Sequence, residues 1–147
     1  MIQTSAIIHE SFYFNLQHIF RLKKPNVLVI IENEDASTVL IGTLWMKGCN
    51  VYLAKSSDEC LKKIKEVERV DVVIIGAEFA LDRVTQLIIN IKKINFDIKI
   101  LVVGDENNDK TRIIDYGADE FALKPMSMEN MADKVFMLIA REALTEK

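Results

Sequence analysis

Lys124 is the one basic side chain expected at an end of the fold where the other chemistry-bearing groups are acids: Glu32, Glu78 and Asp105 each follow closely on an apolar run. A basic nitrogen among carboxylates is a cluster that perturbs pKa values and could hold a cation or an anion, so these three acids are the candidate metal ligands. The competing reading is plainer: solvated loop charges, with Lys124 satisfied by Glu32, Asp105 or a backbone carbonyl. The runs themselves end on glycine. Residues 70–75 close on Gly76 and residues 98–103 on Gly104, and glycine brings no nucleophile, no metal ligand and no proton. No catalytic set is expected. His9 and His18 lie nine apart, the wrong spacing for a shared metal face on a helix. Asp35 reads as a helix cap rather than a ligand.

The elements that must position these groups follow from periodicity. A chain of 147 residues, 50% hydrophobic, fits one compact core. The net charge of −3 lacks the concentrated basic face of a phosphate-backbone binder, which argues against direct contact with nucleic acid. Cys49 and Cys60 are too few for a disulfide framework and read as reduced thiols, Cys60 in the core. No stretch approaches the roughly 20 apolar residues of a membrane span and no basic n-region opens the chain, so a cytoplasmic location away from the membrane is expected.

Residues 1–25 read as an amphipathic extension: Ile8, Phe12, Leu16, Ile19 and Phe20 recur at helical spacing, and Pro25 ends the pattern. Arg21, Lys23 and Lys24 against Glu10 give this segment +2, leaving −5 for residues 26–147. From Asn26 strand and helix alternate. Strands are expected at 27–31, 51–54, 70–75, 98–103 and 120–123, and helices at about 36–47, 57–67, 82–94, 109–116 and 128–144. Gly48 and Gly117 stand where a left-handed residue stops a helix, and Ser56 with Glu59 forms a capping box. Residues 70–75, β-branched throughout their apolar part and flanked by charge, read as the central strand, buried on both faces. Five consecutive βα units with short connections predict an α/β fold, a doubly wound five-stranded parallel sheet of the flavodoxin-like (βα)5 class with an extra N-terminal helix.

The run Gly117-Ala118-Asp119-Glu120-Phe121-Ala122-Leu123-Lys124-Pro125 resembles the Gly-Ala-Asp-Asp-Tyr-x-x-Lys-Pro signature of the CheY-like receiver domains of two-component response regulators. Gly48, Glu59-Cys60-Leu61 and Ile91-Lys92 resemble further family positions, so the likeness covers about residues 26–144. In that family two adjacent acids after the first strand and an aspartate ending the third hold magnesium, and the last aspartate accepts a phosphoryl group. The resemblance places the acidic pair on Ile31 and Glu32 and the phosphoacceptor on Gly76. The hydroxyl residue that senses the phosphoryl group falls on Gly104, while the switch aromatic is Phe121 and the lysine Lys124, followed by Pro125. The family's lysine–proline peptide is cis, which the resemblance extends to Lys124-Pro125. Phosphoryl transfer needs the nucleophile and a hard cation with several oxygen ligands, and Glu32 with water would bind magnesium weakly. The resemblance therefore implies a degenerate receiver, with no cofactor and no metal.

Surface is what remains. On the first helix Ala36, Val39, Leu40 and Leu44 are expected to face the sheet, leaving Thr38, Ile41 and Trp45 as an outer stripe. This stripe is either an interface covered by Phe12, Leu16 and Phe20, in cis or in a homodimer, or simply tryptophan lying on its own helix. The family also dimerises through its fourth helix, fifth strand and fifth helix, where Lys110, Arg112, Asp119, Asp133, Lys134 and Arg141 offer mixed charges. The leading expectation is a stand-alone, non-enzymatic receiver without a following output domain, acting by phosphorylation-independent contact with a histidine kinase or other signalling protein. The alternative is a pseudo-receiver that binds a small molecule or anion at the former phosphorylation pocket, where bare amides could meet an oxyanion. A flavoprotein of similar topology is disfavoured, because Glu32-Asn33-Glu34-Asp35 after the first strand would repel a phosphate.

Overall fold

The computed structural model describes residues 24–145. Five strands, β1 (Asn26–Ile30), β2 (Asn50–Leu53), β3 (Val72–Gly76), β4 (Lys99–Gly104) and β5 (Glu120–Leu123), form one parallel sheet in the order β2-β1-β3-β4-β5. Helices α1 (Glu34–Met46), α2 (Ser57–Glu66), α3 (Leu81–Ile94), α4 (Lys110–Asp115) and α5 (Met128–Thr145) connect and follow them. The N-terminal extension, with Phe12, Leu16 and Phe20, lies outside the described residues.

The period of two along each strand builds two cores. Leu28 and Ile30 of β1 face one side with Val73 and Ile75 of β3, against Cys60 and Ile64 of α2 and Val84, Leu87, Ile88 and Ile91 of α3. Val27 and Val29 face the other side with Val72 and Ile74, against Leu40 and Leu44 of α1 and Val135 and Ile139 of α5. Every residue of β3 is buried, as its continuous apolar run requires in the middle of a sheet covered on both faces.

Local chemistry sets the ends of the helices. Asn33, not Asp35, caps α1: its Oδ1 accepts the Ala36 N–H at 3.0 Å, so the helix begins earlier than periodicity suggests. The Ser56 Oγ accepts the Glu59 N–H at 3.1 Å, while the Glu59 carboxylate reaches past the cap to the Lys55 N–H at 3.1 Å. Gly48 and Gly117 take φ of +93° and +124°, the left-handed conformation that lets the chain leave α1 and α4 sharply.

Two expectations for α1 are corrected. Val39 is 53% exposed instead of facing the sheet, and Ile41 is partly buried against the α1/α5 core instead of standing on the outer stripe. Ser37 lies inward with Leu40 and Leu44, its hydroxyl donating to the Glu34 carbonyl at 3.0 Å, so the buried arc is turned from the apolar one. A helix apolar all round has no periodic signal to orient it. Among the described residues, no helix is long and apolar enough to cross a membrane.

Candidate functional site

The carboxyl ends of the strands meet at one edge of the sheet, and the connections leaving β1, β3, β4 and β5 frame a shallow site there. β3 ends on Gly76, which pairs with Val103, and the next residue ties the two strands further by an Ala77 N–H to Val103 carbonyl bond of 2.8 Å. The space a side chain on Gly76 would fill is taken by another residue. A β-carbon built on Gly76 collides with the Glu78 carboxylate, whose Cδ would lie 2.7 Å away.

Glu78 reaches this position by folding back over the strand end. Its Oε1 accepts the backbone N–H of Glu32, and its Oε2 lies 3.9 Å from the Lys124 Nζ. Thus the β1–α1 and β3–α3 connections are tied through one carboxylate, with the ammonium of Lys124 facing it. The Lys124–Glu78 separation is that of an ion pair, longer than a hydrogen bond. Lys124 is itself held by its backbone: its N–H donates to the Gly104 carbonyl at 2.7 Å, and its peptide to Pro125 is cis.

Glu32, Glu78 and Asp105 therefore share an edge, yet only Glu78 engages Lys124. This corrects the expectation that Glu32, Asp105 or a carbonyl would satisfy the lysine. Glu32 contributes its amide rather than its carboxylate, and Asp105 turns into its own loop, its Oδ1 accepting the Asn107 N–H at 2.9 Å. Among the described residues no group of three or more His, Cys, Asp or Glu side chains could hold a metal ion.

On the other side of β4, Gly104 makes room for an aromatic ring. A β-carbon there would lie 2.9 Å from the Cζ of Phe121 and 3.0 Å from the Cβ of Ala77, and would collide with the Oδ1 of Asn108. Phe121 is 6% exposed and belongs to the α2/α3 core, so its ring points inward beneath the loop. Asn108 fastens that loop: Oδ1 accepts the Asp105 N–H at 2.8 Å and Nδ2 donates to the Ala77 carbonyl at 3.3 Å. Nothing in the sequence points to this role: Asn108 and Asp109 are both residue types that can open a helix, and it is Asp109 that caps α4, through the Arg112 N–H at 3.0 Å. Two asparagines after two acids carry no pattern that would have separated loop clasp from cap.

No family model matches the chain. Over 122 residues it is 28% identical to the alkaline phosphatase synthesis transcriptional regulatory protein PhoP of Bacillus subtilis (strain 168), an alignment covering 80% of this chain and 50% of that protein. The chain thus spans half the length of that relative. Among solved structures it is similar to a CheY-like response regulator receiver domain protein from Methanospirillum hungatei JF-1, with a TM-score of 0.74, 18% identity and coverage of 83% of this chain and 98% of that one. A response regulator from Thermotoga maritima gives 0.71 at 24% identity, covering 80% and 98% respectively. The fold is that of a response-regulator receiver domain.

At the cradle of the receiver fold, Ile31 is partly buried and packs against the α1/α5 core, Glu32 is exposed, and Gly76 and Gly104 are buried strand ends. On the α4–β5–α5 side the expected mixed-charge face is corrected at one residue. Asp119 serves the interior: its Oδ2 accepts the Ile100 N–H at 2.8 Å and the Lys92 Nζ at 3.0 Å. Lys134 and Arg141 instead converge on Glu120, at 4.0 and 3.3 Å. Neither thiol lines this cradle: burial pushes the pKa of Cys60 up to about 12 and that of Cys49, with a further push from Asp71, up to about 11.

Proposed function

We propose that this chain is an atypical receiver that signals by protein–protein contact, with no phosphoryl transfer at the end of β3. One observation carries the reading: β3 ends on Gly76, and the side-chain space there holds the Glu78 carboxylate, which is tied to the Glu32 amide and faces Lys124. An acyl phosphate at position 76 has no carboxylate to form on. The neighbouring cradle position carries Ile31, whose side chain offers no oxygen to a hard cation. Stabilising charge on a transferring phosphoryl group is most of what such a site does, and an apolar side chain beside an anion works against it.

The outer face of α1 supports contact as the mode of action. Residues 36–46 contain no charged side chain, and Val39, Trp45 and Met46 are 53%, 70% and 83% exposed. A solvated helix face normally carries charge, whereas tryptophan and methionine standing out together are enriched where proteins meet. The partner we assign is a signalling protein, a histidine kinase or a protein downstream of one. Amide NMR spectra recorded with and without magnesium and a small phosphodonor test the reading. It expects the Gly76, Gly104, Phe121 and Lys124 signals to superimpose; a saturable shift of all four would overturn it.

A further inference from the structure

We infer that the cavity beneath the Glu78–Lys124 pair binds a free α-amino acid with an apolar side chain. This rests on the reading of Gly76 as a position without phosphoryl chemistry, because Gly76 and Ile31 belong to the cavity's lining and bring no carboxylate to it. It lies between the sheet edge, α1 and α5, with a volume of about 290 Å³. Leu40, Val103 and Met131 form its buried wall, and Ile31, Met126 and Met128 line the remainder. Its charged lining groups are Glu78 and Lys124.

Size and charge together select the ligand. Pockets that hold drug-sized molecules begin at roughly 300 Å³, so this one suits something of amino-acid size rather than a nucleotide. An inorganic anion would leave the apolar wall unused and would meet the Glu78 carboxylate. A fatty acid would pair with Lys124 but again face Glu78, and an apolar amine would pair with Glu78 but face Lys124. A zwitterion satisfies both. Its carboxylate would sit on the Lys124 Nζ and its ammonium on the Glu78 Oε2, the two atoms that face each other at 3.9 Å, beyond hydrogen-bond length. The other Glu78 oxygen stays on the Glu32 amide, which holds the carboxylate in place for the incoming ammonium. The side chain then enters among methionines, whose unbranched thioethers adapt to different apolar shapes, so leucine, methionine and phenylalanine should all be accepted.

The test uses the 147-residue chain with 13C-methyl-labelled methionine. Titration with L-leucine, L-methionine and L-phenylalanine is expected to shift the Met126, Met128 and Met131 methyl signals saturably, and L-glutamate is expected not to. 4-Methylpentanoate and isopentylamine, which are leucine without its amine or its carboxylate, should bind at least about tenfold more weakly than leucine. Glu78→Gln should weaken leucine about tenfold while strengthening 4-methylpentanoate, since both changes act on an exposed pair and leave the core alone. The proposal is overturned if no apolar amino acid shifts these methyls up to about 10 mM, a concentration above any specific small-molecule affinity worth naming. It is equally overturned if leucine and 4-methylpentanoate bind alike, or if Glu78→Gln leaves their ratio unchanged. Failure here leaves the contact reading standing, whereas a phosphoryl adduct would remove that reading whatever the amino acids do.

Discussion

Gly104→Ala is predicted to destabilise the fold although the backbone there suits alanine. The new methyl would lie 2.9 Å from Phe121 Cζ and 3.0 Å from Ala77 Cβ, and would press on Asn108 Oδ1. None of the three can step aside easily. Phe121 is 6% exposed within a core, Ala77 is pinned by its bond to Val103, and Asn108 is held by two hydrogen bonds. Overpacking of this kind costs about 1–3 kcal/mol, and the loss of unfolded-state freedom on replacing glycine returns roughly 0.4–1 kcal/mol, leaving a net loss of up to about 2.6 kcal/mol, centred on about 1.3. Gly42→Ala is the matched control, because a β-carbon there meets nothing within 4 Å in the middle of α1, and it should stabilise by about 0.5–1 kcal/mol. Urea denaturation of the two variants measures both signs. Phe121→Leu removes the ring atom nearest the new methyl, so in the double variant about 1 kcal/mol of the Gly104→Ala loss should return as coupling. Equal effects at Gly104 and Gly42, or strict additivity with Phe121→Leu, would refute the reasoning.

Gly76→Ala should behave unlike Gly104→Ala, since the methyl meets the carboxylate end of a flexible side chain, Glu78, which can turn aside at the loss of its bond to the Glu32 amide; urea denaturation should find a change within about 1 kcal/mol. Asp119→Asn removes the charge that faces Lys92 and weakens the clasp on the Ile100 amide, and should cost about 1–3 kcal/mol in the same assay. Cys49 and Cys60 should resist alkylation in the native protein at pH 8 and react fully in urea. Both thiols stay protonated in the fold above their ordinary 9.0, so their contribution to stability is complete below pH 9. Stability then falls as pH rises toward 11–12, by up to about 1.4 kcal/mol per pH unit per thiol, because the unfolded chain releases protons that the fold retains.

Much of the fold was legible because its signals are local and agree with one another. β3 reads as central from an unbroken apolar run, α2 from Ser56 and Glu59, and the turns at Gly48 and Gly117 from the only residue type that adopts those angles cheaply. α1 was the exception: with apolar residues on every side, its sequence does not say which of Val39, Ile41 and Ser37 turns inward, and packing against α5 decides. At the site, the sequence reveals what Gly76 and Gly104 lack. It does not reveal what fills the space, because whether Glu78 folds back over Gly76, or Asn108 under Gly104, depends on loop paths that no spacing encodes. Lys124 was legible as the charged centre, but its partner was not. Asp119 reads as surface charge in a signature and turns out to hold β4 to β5.

The most direct test of the central claim is intact mass after incubation with an acyl phosphate and magnesium. The account predicts the unmodified mass of the full chain at every time point, with an aspartate-bearing receiver domain labelled in parallel. A single phosphoryl adduct, above all one mapping to Glu78, would contradict it.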